Sequence, residues 1–177
     1  FENARQCFEL AMQNNADAIV LGGDIFDVKH PSYSVFVKAM QVFSLAKKAK
    51  SGIKAFATTR TASKELSSDG IPVIAIHGNH EFLGKEHTGI LDIFDQAGYM
   101  SYLHASSVQL QKGAEKVCLH LLGNVPEKKA KDALNLWGPK PVNGCRNILV
   151  LHQNFKEYSA IDDEMVATLS LEDLPKG

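Results

Sequence analysis

The chain has 177 residues, 45% apolar and 22% charged, with a formal net charge of −1. That length fits one ordinary domain with a buried core, and the composition is that of a globular protein, which excludes fibrous, repeated and low-complexity classes. No apolar run approaches the roughly 18 residues that span a bilayer, so a membrane segment is excluded, and the near-neutral charge gives no prediction of nucleic-acid binding by itself.

The hydrophobic period switches between helical and extended along the chain. Phe1, Ala4, Phe8, Ala11 and Met12 make a helical stripe through about residue 14. Ala18-Ile19-Val20-Leu21 reads as a buried strand ending in Gly22-Gly23. Val35, Ala39, Val42, Phe43 and Ala46 form a second helical stripe, closed by a basic turn and Gly52. Residues 54–70 are polar and Thr/Ser-rich, and read as an inserted loop between a finished helix and a strand. Ile71 to Ile76 is too continuously apolar to be a half-exposed strand. A helix is expected over 89–97 with Gly98 at its stop, then two paired strands over 108–110 and 116–122, a helix over 126–136, and a buried strand over 147–151. Alternating buried strands and amphipathic helices mean an α/β layered fold with helices covering the sheets.

The three cysteines, Cys7, Cys118 and Cys145, form no CxxC pair. That argues against a disulfide framework or a thiolate zinc site and for a reducing, intracellular setting. Lysine is concentrated at Lys47, Lys48 and Lys50 and again at Lys128, Lys129 and Lys131, at ends or faces of predicted helices where such runs are ordinarily solvated surface.

Each informative polar cluster follows a buried strand. Asp24 and Asp27 follow AIVLGG, Asn79 and His80 follow IPVIAIHG, and His152, Gln153 and Asn154 follow NILVL. In α/β sheets, ligands bind in the crevice at the carboxyl ends of the strands. Three strands of one sheet are therefore expected to deliver Asp24, Asn79, His80 and His152 to one edge. These donors suit Mn²⁺, Fe²⁺ or Zn²⁺, with no thiolate competing. Gly23 and Gly78 let the backbone turn tightly beside them. Taken singly, GD after a strand or Asn-His in a turn is more often ordinary turn chemistry. All three together, in order and each ending a strand, point to a site. His77 reads as packing or surface, and His87, His104 and His120 as structural. Lys29 and His30 lie where a phosphate is within reach, or form a solvated turn before Pro31.

At GGDIFD, GNHE and LHQN the sequence resembles the calcineurin-like metallophosphoesterase superfamily, whose motifs run D-x-H, GD-x-x-D, GNH-[DE], H and GH-x-H. Within it the chain looks most like the double-strand-break repair nuclease branch (meiotic recombination eleven, or SbcD in bacteria). The carriers are HPS after GDIFDVK, IPVIAIHGNHE, GILDIFDQAGYMSYL, LHQNF and LEDLPKG. Asp27 departs from the His common at that position, and the 54–70 insertion has no counterpart in compact members. The chain opens after the place of D-x-H and stops near the place of GH-x-H, so residues 1–177 read as one nuclease domain truncated at both ends.

The resemblance implies two divalent metal ions, Mn²⁺ first among them. It implies that Asp24 bridges them, that Asn79 and His152 complete the part of the second ion's shell present here, and that His80 stabilises the transition state or protonates the leaving oxygen. Asp27 would orient ligands or the turn. The implied function is a metal-dependent DNA exonuclease and endonuclease in break repair, partnered by DNA and a coiled-coil ATPase. Its setting is the cytoplasm of a prokaryote or the nucleus of a eukaryote. A nucleotide or phosphoprotein phosphoesterase, or an inactive scaffold of the same fold, are the alternatives. By the same resemblance, helices over about 33–50 and 89–97 build a homodimer contact. Apolar residues beyond one stripe, Phe36, Met40, Phe43 and Leu45, and Ile90, Leu91, Ile93 and Phe94, are consistent with this; the rival reading is that the 54–70 loop folds over that surface.

Overall fold

A computed structural model describes residues 1–59, 63–66, 69–81, 88–159 and 169–175. The elements run α1 (Glu2–Gln13), β1 (Ile19–Leu21), α2 (Tyr33–Lys47), β2 (Lys54–Thr58), β3 (Ser63–Leu66), β4 (Val73–Ala75), α3 (Ile90–Gln96), β5 (Ser101–Tyr102), β6 (Ser106–Lys112), β7 (Glu115–Leu122), α4 (Glu127–Trp137) and β8 (Arg146–Leu151). Two short 3-10 turns follow, at Lys156–Tyr158 and Leu171–Asp173.

Local chemistry sets the boundaries. Ser32 caps α2 by accepting the Val35 N–H, directly after Pro31 has ended the preceding loop. Asp92 accepts the Gly89 N–H at 2.7 Å and so satisfies a donor at the start of α3. Gly138, at φ +55°, stops α4 in the left-handed conformation that costs glycine least.

The strands form two sheets. The order β1-β4-β5 is three-stranded and parallel, and β3-β2-β6-β7-β8 is five-stranded, antiparallel except for the parallel pair β7/β8. Strand alternation then sorts the core. Val73 and Ala75 of β4 face the helices, where they meet Phe8, Val42, Phe43, Leu91 and Phe94. Ile74, with Ile76 just beyond the strand end, faces the second sheet and packs with Ala55, Ala57, Val108, Leu110, Leu119 and Leu121. Leu122 lies on the outer face of that sheet, under Ala130 and Leu134 of α4. The layers are thus helices, sheet, sheet, helix, with both sheets burying apolar residues between them. Among the described residues no helix is long and apolar enough to cross a membrane.

Three expectations need correction. Residues 54–58 and 63–66 are strands of the five-stranded sheet, where the sequence read a loop. Ala55 and Ala57 alternate inward, and alanine is too small an apolar residue to announce a strand face. The strands read as buried at 18–21 and 147–151 are edge strands, leaving Val20 39% and Ile148 41% exposed. The polar loops also come from two sheets: β1 and β4 belong to one and β8 to the other. Continuous apolarity reports neither whether a strand lies at a sheet edge nor which sheet it joins.

Candidate metal centre

Asp24 follows β1 through Gly22 and Gly23, and the turn is tight enough that Asp24 itself takes φ +49°. A non-glycine residue in that left-handed region carries roughly 1–3 kcal/mol of strain, which neighbouring contacts must hold. Two glycines make the approach possible. A Cβ at Gly78 would overlap the Asp24 carboxylate, and one at Gly23 would come within 2.5 Å of the His152 ring.

The holding contact is Glu81, which is 3% exposed. Its Oε2 accepts the Asp24 N–H at 3.1 Å and the Gly78 N–H at 2.9 Å, and its Oε1 accepts the Phe26 N–H at 2.7 Å. One buried carboxylate therefore ties the loop after β1 to the loop after β4. Sequence reading gave Glu81 no role. Its only signal was position, an acid closing the GNHE run, and an acid so placed reads as easily as a surface charge.

His152 closes the group from the second sheet. Its Nδ1 lies 2.8 Å from the Gly22 carbonyl, which only accepts, so Nδ1 carries a hydrogen. Nε2 then faces the Asn79 Oδ1 at 3.3 Å and the Asp24 Oδ2 at 3.4 Å. In the neutral ring these are three acceptor atoms turned toward one another, an arrangement that a shared cation satisfies. The set of one carboxylate, one amide oxygen and one imidazole suits a divalent transition ion. Among the described residues no group of three or more His, Cys, Asp or Glu stands at metal-holding spacing, so the cluster reaches three donors only through the Asn79 amide.

His80 lies beside this group. Its backbone N–H donates to Asp24 Oδ1 at 3.2 Å, and its Nδ1–H donates to the Asp27 carbonyl at 2.8 Å. That carbonyl, together with the Asp24 charge, raises the His80 pKa above its ordinary 6.5. With Nδ1 engaged by that carbonyl, any further contact of the ring falls to Nε2. Asp27 acts on this ring through its main chain; its carboxylate is 96% exposed and only approaches the same nitrogen, at 3.5 Å.

The remaining polar residues separate cleanly. His77 is buried between the Tyr102 hydroxyl and the Asn124 carbonyl, and burial lowers its pKa. His120 is buried against Ser107 and Asn147, and the His104 ring lies 4.8 Å from that of His77. His87 lies outside the described residues. Lys29 and His30 line a groove of about 310 Å³ with Tyr33, Phe36, Ile90 and Ile93. Lys47 lies 4.4 Å over the Tyr99 ring and lines a cavity with Pro72 and Val73, at the end of β4 opposite Asn79. Lys131 pairs with Asp173 at 2.6 Å.

The profile of the calcineurin-like phosphoesterase family matches residues 1–174. Over 190 aligned positions the chain is 27% identical to the double-strand break repair protein MRE11 of Homo sapiens, covering 90% of this chain and 27% of that protein. It is 28% identical over 178 positions to the double-strand break repair protein mus-23 of Neurospora crassa, covering 84% of this chain and 24% of that protein. The MRE11 protein of Arabidopsis thaliana is 26% identical over 192 positions, covering 87% of this chain and 26% of that protein. The chain spans about a quarter of the length of these relatives.

Proposed function

The chain belongs to the calcineurin-like phosphoesterase family, and from that premise we propose that it is the core of a metal-dependent nuclease that hydrolyses DNA phosphodiester bonds in double-strand-break repair. The observation that carries the reading is the His152 Nε2 turned toward the Asp24 and Asn79 oxygens from an opposing sheet. An inactive scaffold has no need to keep these three acceptors facing one another. DNA is favoured over a nucleotide or phosphoprotein because the relatives are named as break-repair proteins.

In this reading Asp24, Asn79 and His152 hold divalent metal, Mn²⁺ by preference. When bound, a pair of divalent ions supplies activation of a water and offsets charge on the phosphoryl oxygens. The chain's own residues do the rest. Glu81 fixes the Asp24 loop, and the Gly22 carbonyl fixes the His152 tautomer. As the P–O bond to the leaving strand breaks, His80, whose pKa is raised by the Asp27 carbonyl and the Asp24 charge, would give its Nε2 proton to the leaving oxygen. Asp27 orients His80 through its carbonyl.

The protein would act as a homodimer alongside a coiled-coil ATPase, in the nucleus as befits eukaryotic relatives. The groove of Tyr33, Phe36, Ile90 and Ile93 is the surface offered to the second copy. The described part of the 54–70 segment does not cover it; Lys64, Glu65 and Leu66 line the other cavity, with Ala46, Lys47, Asp95 and Gln96 from the far ends of α2 and α3.

The test is degradation of linear DNA by the full-length protein. Cleavage is expected in Mn²⁺ and much less in Mg²⁺ alone, because Mg²⁺ favours all-oxygen shells and this one includes an imidazole. Equal rates in the two ions, or cleavage that survives strong chelation, would refute the assignment.

A further inference from the structure

The donors of the candidate centre leave two different sheets, so their spacing depends on how those sheets are registered at this one end. Asp24 and Asn79 come from loops of the three-stranded sheet and His152 from the end of β8 in the five-stranded one.

His77, two residues before Asn79, crosses that gap. It is 1% exposed. Its carbonyl accepts the Asn124 N–H at 2.9 Å, and its ring Nε2–H donates to the Asn124 carbonyl at 3.0 Å. Asn124 stands two residues past β7, and the last residue of β7, Leu122, accepts the His152 N–H at 3.2 Å. A short path therefore runs from Asn79 through His77 to Asn124, Leu122 and His152, with a pair of hydrogen bonds at the crossing.

Two further features are shaped around the ring. Gly123 packs so closely against it that a Cβ there would come within 2.6 Å. The Tyr102 hydroxyl, on β5, lies 2.7 Å from Nδ1. Since Nε2 carries its hydrogen toward a carbonyl, Nδ1 of the neutral ring accepts, and Tyr102 donates. Burial favours that neutral form. The ring is thus gripped at both nitrogens, by Tyr102 of one sheet and by the strand-end loop of the other.

We propose that His77 is a positioning residue for the metal centre: its double pairing with Asn124 sets the distance between Asp24 and Asn79 on one sheet and His152 on the other. This rests on the reading of those three residues as metal ligands. A histidine that merely fills core volume would be replaceable by any side chain of its size. A positioning histidine is replaceable only by one that donates to Asn124 and accepts from Tyr102. Glutamine can do both; phenylalanine can do neither.

The experiment measures Mn²⁺ affinity of the full-length protein by titration calorimetry, with the melting temperature of each chelated variant beside it. His77→Phe is expected to weaken binding by about tenfold or more, the scale of losses when a residue supporting a ligand shell is removed. His77→Gln is expected to stay within about threefold of wild type. Tyr102→Phe, which removes only the hydroxyl on Nδ1, is expected to fall between them. Wild-type affinity retained by His77→Phe, or a loss in His77→Gln as large as in His77→Phe, overturns the positioning role. Should His77→Phe fail to fold, Tyr102→Phe decides: unchanged affinity overturns the role, and a loss of about three- to tenfold supports it. If wild type itself takes up no Mn²⁺, it is the metal-centre reading that has failed.

Discussion

Glu81→Gln isolates what a single buried carboxylate does for this site. The side chain keeps its shape, but one oxygen becomes an NH₂ group facing backbone donors. If the nitrogen replaces Oε1, the Phe26 N–H at 2.7 Å loses its acceptor; if it replaces Oε2, both the Asp24 and Gly78 N–H groups do. The first is the less damaging. It leaves one buried N–H unpaired, at about 1–3 kcal/mol, and reduces the other two bonds from charge-assisted to neutral strength, at about 1 kcal/mol each. Relief of the carboxylate's own desolvation offsets part of this, so a net loss of about 2–4 kcal/mol is expected, a large share of a domain's total stability. Asp24, no longer held at φ +49°, can relax and carry its carboxylate away from His152. Urea denaturation in chelator should therefore show the stability loss, and a Mn²⁺ titration should show binding weakened about tenfold or more. Stability within about 0.5 kcal/mol of wild type together with unchanged affinity would refute the role given to Glu81.

His80→Ala should leave Mn²⁺ occupancy nearly intact while lowering turnover by roughly a hundredfold or more, whereas Asp24→Asn should empty the site; equal metal loss in both would place His80 among the ligands. Tyr33 and Ile93 are exposed apolar residues of the groove between α2 and α3, so Tyr33→Asp with Ile93→Asp should turn a dimer into a folded monomer by analytical ultracentrifugation; wild type sedimenting as a monomer at micromolar concentration would discard that surface. Phe43→Asp, at a position the sequence pattern offered for the dimer contact, should simply unfold the domain, because Phe43 is buried edge-on against Phe94 at 5.0 Å. Burial holds the folded-state pKa of His77 below 6.5, so the unfolded chain binds that proton more readily. Its contribution is therefore neutral well above pH 6.5 and destabilising as pH falls through that value, and His77→Gln should flatten the decline in urea midpoint between roughly pH 7 and 5.

The parts of the fold legible in the sequence were those with one unambiguous period. IPVIAI could only be buried on both faces, and β4 is the central strand of its sheet. Val35, Ala39, Val42, Phe43 and Ala46 traced the inward face of α2, where four of the five are buried and Val35 packs partly against them. The surplus apolar residues of α2 misled. Phe43 is buried in the same core and Phe36, Met40 and Leu45 pack against it, since a helix wedged among α1, α3 and the sheet buries more than one stripe. β2 and β3 were missed because β2 turns Ala55 and Ala57 inward and β3 offers Leu66 alone, amid Thr, Ser and Lys. At the candidate centre, strand-end motifs pointed to Asp24, Asn79 and His152, which lie together here, but, Asp27 apart, not to the groups that hold them. Those are backbone atoms, the carbonyls of Gly22, Asp27 and Asn124 and the N–H groups on Glu81, and every residue carries them.

The backbone of Asp24 also limits which mutations are informative. In the left-handed region, asparagine is among the few side chains accommodated nearly as well as aspartate, and alanine is not. Asp24→Ala would therefore change two things at once, the ligand and the turn that presents it, and loss of metal in that variant could be read either way. Asp24→Asn keeps the turn, the size and one carbonyl oxygen while removing the charge. Natural substitution at this position should follow the same rule. Asparagine or glycine marks a lineage that gave up metal while keeping the loop, and a β-branched residue marks one in which the loop itself was rebuilt.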